Sequence, residues 1–167
     1  MVKGKTNAMR MLDTAKVSYE ILMYEVKDGK IDGLSVAEKT GKDPEYVYKT
    51  LVAQGSSKSV YVFVIPVGDE LSLKKAAAVA GEKKVEMVHV RELLELTGYI
   101  RGGVTPIGMK KKYRTFIDAS VKDMEKIAVS GGVCGAALRL SPTDLQKASD
   151  SEFADITTVF KEENYMA

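Results

Sequence analysis

The residues best placed for chemistry form a glycine-rich loop, GYIRGGVTPIG at positions 98–108, followed at once by a basic run. Gly102 and Gly103 permit close approach of a ligand to bare backbone, whereas Pro106 fixes φ and lacks an N–H donor. The loop is therefore either an ordinary turn or a rigid surface that offers backbone N–H groups to a ligand. The basic run is the densest positive cluster in the chain and suits phosphate contacts; it comprises Lys110, Lys111, Lys112 and Arg114.

Two further segments contain residue types that suit a ligand site. Lys49 stands at the start of an apolar strand, VYKTLV. Its amine either extends to solvent at the strand end or projects into a cleft and binds an anion. In VSGGVCG, Ser130 precedes Gly131 and Gly132, which form either a β-bulge or a place where a ligand lies against backbone. Neither glycine motif has the spacing of a dinucleotide-binding fingerprint.

Cys134 and His89 are the only residues of their types in the chain. One cysteine permits no intrachain disulfide and no multi-thiolate metal site, and any histidine-dependent triad would require His89. The residues beside Cys134 are uncharged, so nothing nearby in the sequence stabilises a thiolate and a structural role is favoured. His89 lies between apolar residues, which favours a core or capping position. No acidic pair suggests a metal dyad, and we expect neither a metal nor another cofactor.

The chain has 167 residues and a net charge of +2, with 45% apolar and 29% charged residues. This length and composition predict one globular domain over residues 1–167, with a polar tail from about residue 161. The small net charge neither requires nor forbids a nucleic-acid partner. No apolar run approaches the roughly 20 residues that span a bilayer, and the N-terminus lacks the apolar segment of a signal peptide. The sequence therefore predicts a cytoplasmic protein without a membrane segment.

Capping residues and apolar patterns predict both helices and strands. Helices are expected from the Thr6 cap to about Lys16 and over 34–41, 43–48, 72–81, 91–98 and 141–148. Strands are expected over 18–26, 49–55, 59–68, 83–90, 113–120, 126–132 and 135–141. The two types are mixed without strict alternation. An α+β fold around a mostly antiparallel or mixed sheet is therefore favoured over a doubly wound parallel one.

Four stretches in this order resemble the YbaK/EbsC family of Cys-tRNA(Pro)/Cys-tRNA(Cys) deacylases. They are KTNAMRMLDTAKVSYEI, VYKTLV, ELLELTGYIRGGVTPIGMKKKYRTFID and IAVSGGVCG, and the resemblance covers residues 5 to about 158. The family is similar to the editing domain of bacterial prolyl-tRNA synthetases. The resemblance implies an α+β fold in which a mixed, strongly bent and mostly antiparallel sheet forms a partial barrel flanked by helices.

The resemblance also implies which residues form the site. The lysine of the family falls on Lys49, which would anchor a phosphate or ribose oxygen. The glycines of its GxxxP loop fall on Gly102 and Gly103, whose N–H groups would stabilise an oxyanion. The implied substrate-binding residues are Tyr24, Thr50, Pro106, Ser130, Gly131 and Gly132. The basic run, Lys110, Lys111, Lys112 and Arg114, would contact tRNA.

The implied activity is removal of cysteine from mischarged tRNA(Pro), and also from tRNA(Cys). An aminoacyl-tRNA is already an activated ester, so the protein must mainly position the 3′ end and stabilise developing charge. The thiol of a cysteinyl substrate would attack its own ester and leave as a thiolactone, whereas an alanyl substrate would need a water. Neither route requires a protein nucleophile.

One departure from the family pattern leaves alternatives open. Many relatives carry charged residues where this chain has Val133-Cys134 and Ala136-Ala137. Deacylation of another small aminoacyl-tRNA such as Ala-tRNA(Pro) is one alternative, and a non-catalytic module that binds tRNA or a synthetase is another. We expect tRNA choice to come from a transient complex with prolyl-tRNA synthetase, and the protein to be a monomer or weak homodimer.

Overall fold

The computed structural model describes residues 4–158, so the polar tail predicted from about residue 161 lies outside the described residues. The helices are α1 Asn7–Thr14, α2 Gly33–Thr40, α3 Leu73–Ala80, α4 Leu93–Thr97 and α5 Pro142–Ser149. The strands are β1 Glu20–Met23, β2 Tyr48–Gly55, β3 Val60–Pro66, β4 Glu70–Leu71, β5 Val85–Met87, β6 Arg114–Asp118, β7 Ile127–Val133, β8 Ala136–Leu140, β9 Ser151–Ala154 and β10 Thr157–Thr158. Within residues 4–158, no helix has the length and apolar character needed to cross a membrane.

Local capping explains where most helices begin and end. Side-chain oxygens accept hydrogen bonds from backbone N–H groups in the first helical turn, and the capping residues are Thr6, Asp32, Ser72 and Ser141. Gly41, Gly81 and Gly98 end their helices in the left-handed conformation, which glycine adopts without steric penalty. The predicted helices at these positions are confirmed.

The strands of the described region are distributed over three sheets, none of them closed. The largest has the order β5-β2-β3-β6-β9, and its β3–β6 and β6–β9 pairs are parallel. The second is antiparallel with the order β1-β8-β7, and β4 pairs with β10. A parallel bridge between Val47 and Ala128 connects the two larger sheets. The predicted mixed α+β fold is confirmed.

Several sequence-based boundaries differ from the structure. The helix predicted over 43–48 is only a 3₁₀ turn, Pro44–Tyr46, because Val47 is already extended and Tyr48 begins β2. The strand predicted over 83–90 spans only Val85–Met87, with one further hydrogen bond from the Val88 N–H to the Val52 carbonyl, because a 3₁₀ turn, Val90–Glu92, begins directly after His89. The helix predicted over 91–98 is accordingly divided into that turn and the short α4. Val90 of the turn and Leu93 of α4 line the cavity described below.

The core has two main parts, one on each side of the five-stranded sheet. On one side, the alanines of α3 pack over Phe63 and Phe116, whose rings stack with centroids 5.6 Å apart. On the other side, α1 and α5 pack against residues of β6, β7 and β8. Burial of these large apolar side chains is the main stabilising contribution, at roughly 25 cal/mol per Å². The resulting framework fixes β2 and β7, the strands that carry the predicted site residues Lys49, Thr50, Ser130, Gly131 and Gly132.

Candidate active site

Five of the predicted site residues line one cavity of about 290 Å³. These residues are Tyr24, Lys49, Thr50, Gly102 and Ser130. They come from β2, β7, the glycine loop and the segment after β1, so positions far apart in sequence meet in this cavity. The remaining lining is mostly apolar, which is typical of a small-molecule site that orients its ligand with a few polar groups.

Lys49 projects into this cavity, so the cleft interpretation of its position holds rather than the solvent one. The side chain is half-buried, and its Nζ donates to the carbonyl oxygen of Val67 at 3.4 Å. Burial raises the pKa of the nearby Asp69 carboxyl, as does the charge of Asp118, while Lys49 opposes this increase. The only hydrogen bond that the Lys49 amine makes in the described region is this long contact with a neutral carbonyl, so the amine is placed to bind an incoming anion.

The glycine loop lies across the cavity as a tight turn. The N–H of Gly103 donates to the carbonyl oxygen of Ile100 at 2.8 Å, so it is already used within the loop. Gly102 has a φ of +88°, which favours glycine. A β-carbon built there would lie 2.6 Å from Cys134 Sγ and 2.9 Å from Ile31 Cδ1. Gly102 is thus required both by its backbone conformation and by close packing.

Ser130 joins β7 to the glycine loop. Its hydroxyl donates to the carbonyl oxygen of Gly102 at 3.2 Å. The β7–β8 register shifts between Ser130 and Val133, and Gly132 has a φ of +95°, so this segment is a β-bulge. Gly131 is buried, and its carbonyl accepts a hydrogen bond from Thr6 at 2.6 Å. Of the three residues, Ser130 lines the cavity and the two glycines shape the strand behind it.

Thr50 and Tyr24 supply uncharged polar groups. The Oγ1 atom of Thr50 is buried and has no hydrogen-bond partner within residues 4–158. Buried hydroxyls nearly always have a hydrogen-bond partner, so an unpaired one beside a cavity indicates a group that a ligand would bind. Burial raises the pKa of the Tyr24 phenol, which keeps it in the neutral form at physiological pH.

Pro106 and the basic run lie away from this cavity. Pro106, Lys111 and Lys112 border a separate depression of about 280 Å³. Lys112 pairs with Asp150 at 2.6 Å, and Arg114 pairs with Glu152 at 2.8 Å. The structure therefore separates the basic run from Lys49 and Gly102, and two of its four cations already have carboxylate partners.

Cys134 and His89 have different surroundings. The Cys134 thiol donates to the carbonyl oxygen of Arg101 at 3.3 Å and packs beside Gly102, as a structural cysteine would. His89 is exposed at the start of a 3₁₀ turn, so the core alternative for this histidine is wrong. In the described part of the chain, no group of three or more His, Cys, Asp or Glu residues is arranged to hold a metal ion.

Arg101 lines the cavity but was not predicted from the sequence as a site residue. Nothing in its sequence context distinguishes it from an ordinary exposed arginine, and its direction is set by the tight turn and by β7. Apolar side chains beside it were also missed, among them Met87, Val90 and Leu93. Of the described residues, those that line the cavity include no aspartate or glutamate. The cavity thus combines apolar walls with two cations.

A search of curated proteins finds two informative relatives. The chain is 42% identical over 154 residues to the "Putative Cys-tRNA(Pro)/Cys-tRNA(Cys) deacylase EbsC" of Enterococcus faecalis, covering 92% of this chain and 94% of that protein. It is also 26% identical over 134 residues to the uncharacterized protein YwhH of Bacillus subtilis, covering 80% and 83% of the two chains.

Solved structures agree with the fold. One is described as a "putative trans-editing enzyme for prolyl tRNA synthetase"; it has a TM-score of 0.80 at 22% identity and covers 94% of this chain and 100% of its own. The hypothetical protein APE2540 has a TM-score of 0.83 at 24% identity, covering 92% and 100%. The model of the aminoacyl-tRNA editing domain matches residues 34–148, which include all the cavity-lining polar residues except Tyr24. The chain belongs to the aminoacyl-tRNA editing domain family.

Proposed function

We propose that this protein is a trans-editing aminoacyl-tRNA deacylase that removes cysteine from mischarged tRNA(Pro). The observation that carries the proposal is that Lys49, Gly102 and Ser130 line one apolar-walled cavity in a chain of the editing family. The name of the Enterococcus faecalis relative, 42% identical, supports cysteine as the amino acid. A cavity of about 290 Å³ is close to the lower size of small-molecule sites, roughly 300 Å³. It suits the aminoacyl group and terminal nucleoside rather than a larger part of the tRNA.

Gly102, Lys49 and Thr50 would each make a different contact with the substrate during ester cleavage. Gly102 would donate its N–H to the oxyanion that forms as the ester carbonyl is attacked. Gly102 alone would take this role, because the Gly103 N–H is hydrogen-bonded to the Ile100 carbonyl. Lys49 would hold a ribose or phosphate oxygen as a point charge, and the unpaired Thr50 hydroxyl would bind a polar substrate atom.

The substrate supplies the nucleophile in this mechanism. The cysteinyl sulfur attacks the ester carbonyl carbon as its thiol loses a proton, and a tetrahedral oxyanion forms. Collapse breaks the bond to the ribose oxygen, which takes up a proton, and the cysteine leaves as a thiolactone. The protein contributes position and charge stabilisation, consistent with a described region whose Cys134 is engaged by a backbone carbonyl and whose His89 lies outside the cavity.

Water-dependent cleavage of Ala-tRNA(Pro) is the second candidate, because Val133 and Cys134 replace the charged residues of many relatives and Cys134 packs at the Gly102 turn. An apolar pocket distinguishes side chains that differ by one methylene by only about 1–3 kcal/mol. We further propose that a transient complex with prolyl-tRNA synthetase determines tRNA choice, and that the protein acts in the cytoplasm as a monomer or weak homodimer. The basic run, Lys110 to Arg114, would contact tRNA beyond the cavity.

The decisive experiment compares deacylation of Cys-tRNA(Pro), Ala-tRNA(Pro) and S-methylcysteinyl-tRNA(Pro) by the wild-type protein and Lys49→Ala. Exposed Lys74, on α3 and outside the cavity lining, gives a matched control, Lys74→Ala. We expect fast loss of cysteine, a rate at least about tenfold lower in Lys49→Ala, and no effect of Lys74→Ala. Rapid cleavage of the S-methyl substrate would establish the water route instead. Binding of tRNA without release of any amino acid would leave only the non-catalytic module.

A further inference from the structure

Arg101 differs from the other cation of the cavity in its surroundings. Lys49 is half-buried and contacts the carbonyl of Val67, whereas the Arg101 side chain is exposed at the cavity. Across residues 4–158, no carboxylate lies within ion-pair distance of Arg101. Arg114 and Arg139, by contrast, are bound to Glu152 and Glu20. Arg101 is therefore a guanidinium at a ligand cavity whose charge is available to an external anion.

The backbone of Arg101 is fixed in relation to the reacting position. Its carbonyl oxygen accepts the Cys134 thiol at 3.3 Å, and the turn is closed by the Ile100–Gly103 hydrogen bond. The next residue, Gly102, is held by Ser130. The Arg101 side chain therefore extends from a fixed backbone position directly beside the Gly102 N–H.

An aminoacyl-tRNA offers few anions near its ester. The ester itself is neutral and the amino group is a cation, so the nearest negative charge is the phosphodiester on the 5′ side of the terminal adenosine. A guanidinium matches two phosphate oxygens with a planar pair of donors, which an ammonium does not. In the described lining of the cavity, no aspartate or glutamate opposes an anion there.

We infer that Arg101 binds the phosphodiester of the terminal adenosine and thereby sets the ester against Gly102. The inference rests on the proposed deacylase function and adds a substrate contact to it. Of the two contacts proposed for Lys49 above, the ribose oxygen then remains. Lys112 borders a different depression, and both Lys112 and Arg114 already have carboxylate partners, so these cations are left for nucleotides farther from the ester.

Two small substrates isolate this contact. One is the cysteinyl ester of adenosine, and the other is the same ester carrying a 5′-methyl phosphodiester. We expect the phosphodiester to raise kcat/KM for the wild-type protein, and Arg101→Ala to lower kcat/KM for it about tenfold, through KM. The adenosine ester is expected to change less than about twofold. Arg101→Lys should recover part of the loss, because it keeps the charge without the planar donor pair.

Arg10→Ala is the matched control, since Arg10 is exposed on α1 and outside the cavity lining. Arg101→Ala keeps the backbone carbonyl that accepts the Cys134 thiol, and a merely structural role of the side chain would affect both substrates equally. An equal loss on both substrates, or no loss on the phosphodiester, overturns the role of Arg101. Failure of the wild-type protein to release cysteine from Cys-tRNA(Pro) would instead contradict the deacylase proposal. A shallower dependence of log kcat/KM on log salt in Arg101→Ala is the second expected result.

Discussion

The hydroxyl of Ser130 donates to the carbonyl oxygen of Gly102 at 3.2 Å, and this single contact joins a strand of one sheet to the glycine loop. The same hydroxyl accepts the Gly132 N–H at 3.4 Å. Ser130 thus connects the inside of the β-bulge with the residue proposed to stabilise the oxyanion. The Gly102 carbonyl, in the peptide that follows the proposed donor N–H, is thus held by a side chain that is 28 residues away in sequence.

Ser130→Ala removes this link, and we expect deacylation of Cys-tRNA(Pro) to fall about tenfold. The free energy of unfolding should fall by only about 0.5–1.5 kcal/mol, the usual contribution of one hydrogen bond. Steady-state kinetics and thermal unfolding measure the two effects. Ser57→Ala, which removes a hydroxyl bonded to Glu82 in the β2–β3 turn, should leave the rate unchanged. Equal activity in the Ser130 and Ser57 variants would show that the loop keeps its position without Ser130.

Gly102→Ala introduces a β-carbon into a space occupied by Cys134 and Ile31. We expect a loss of about 1–3 kcal/mol in stability from the positive φ alone. The rate per folded molecule should fall by about a hundredfold, because the proposed oxyanion donor is displaced. Gly29 gives a matched control: its φ is +75°, with no atom within 4 Å of an added β-carbon. Gly29→Ala should lower the stability through the same backbone strain and leave the deacylation rate unchanged.

The double variant Gly102→Ala/Cys134→Ala separates packing from backbone strain. Removing Sγ relieves the contact at 2.6 Å but leaves φ unchanged. We expect part of the stability to return, with a coupling energy of about 0.5–3 kcal/mol in the double-mutant cycle. Additive effects of the two substitutions in thermal unfolding would show that the loop relaxes away from Cys134 in the single variant.

Thr50→Val tests whether the unpaired hydroxyl serves the substrate. Replacing a buried and unsatisfied hydroxyl with a methyl group of similar shape should keep or raise the free energy of unfolding, by up to about 1 kcal/mol. The deacylation rate should nevertheless fall several-fold if the hydroxyl binds substrate. Thr105 also has a buried Oγ1 without a partner in the described region, so Thr105→Val calibrates the stability effect. Full activity of a stabilised Thr50→Val would remove this residue from the site.

Tyr48 should make stability depend on alkaline pH. Burial raises the pKa of its phenol to about 12, whereas the unfolded chain titrates near 10. Below about pH 10 the phenol is protonated in both states, and stability does not depend on it. Between the two pKa values the unfolded chain loses its proton first, so the free energy of unfolding falls as pH rises. The loss should reach about 2–3 kcal/mol by pH 12. Chemical denaturation at pH 8–12 should show a smaller decrease in Tyr48→Phe; an identical decrease would assign the effect to other groups.

Local features of this fold could be predicted from the sequence, because a cap depends on neighbouring residues. As predicted, the hydroxyls of Thr6 and Ser72 cap the first turns of their helices, and Gly41 ends a helix in the left-handed conformation. The parallel pairing of β3, β6 and β9 could not be predicted in this way, since it depends on which distant segments meet. His89 was misjudged for a similar reason, as the end of β5 is set by a turn that interrupts the apolar pattern.

The candidate site was predictable where a motif or the family resemblance marked it. Lys49, Gly102 and Ser130 were expected together, and the structure places all three at one cavity. Arg101 was not expected, because its direction follows from the turn and from the Cys134 contact rather than from its neighbours. The basic run follows the glycine loop in sequence and was therefore expected near the site. In the structure, Lys112 and Arg114 instead pair with Asp150 and Glu152.

The strand order β1-β8-β7 has a consequence for the timing of folding during synthesis. Glu20 of β1 contacts Arg139 of β8, 119 residues later, and the Tyr24 N–H donates to the Gly135 carbonyl, so this side of the cavity cannot form until β8 has left the ribosome. Contacts of such sequence separation form slowly. Deacylation can therefore serve as a reporter of completed folding, because nascent chains that end before β8 lack one side of the cavity.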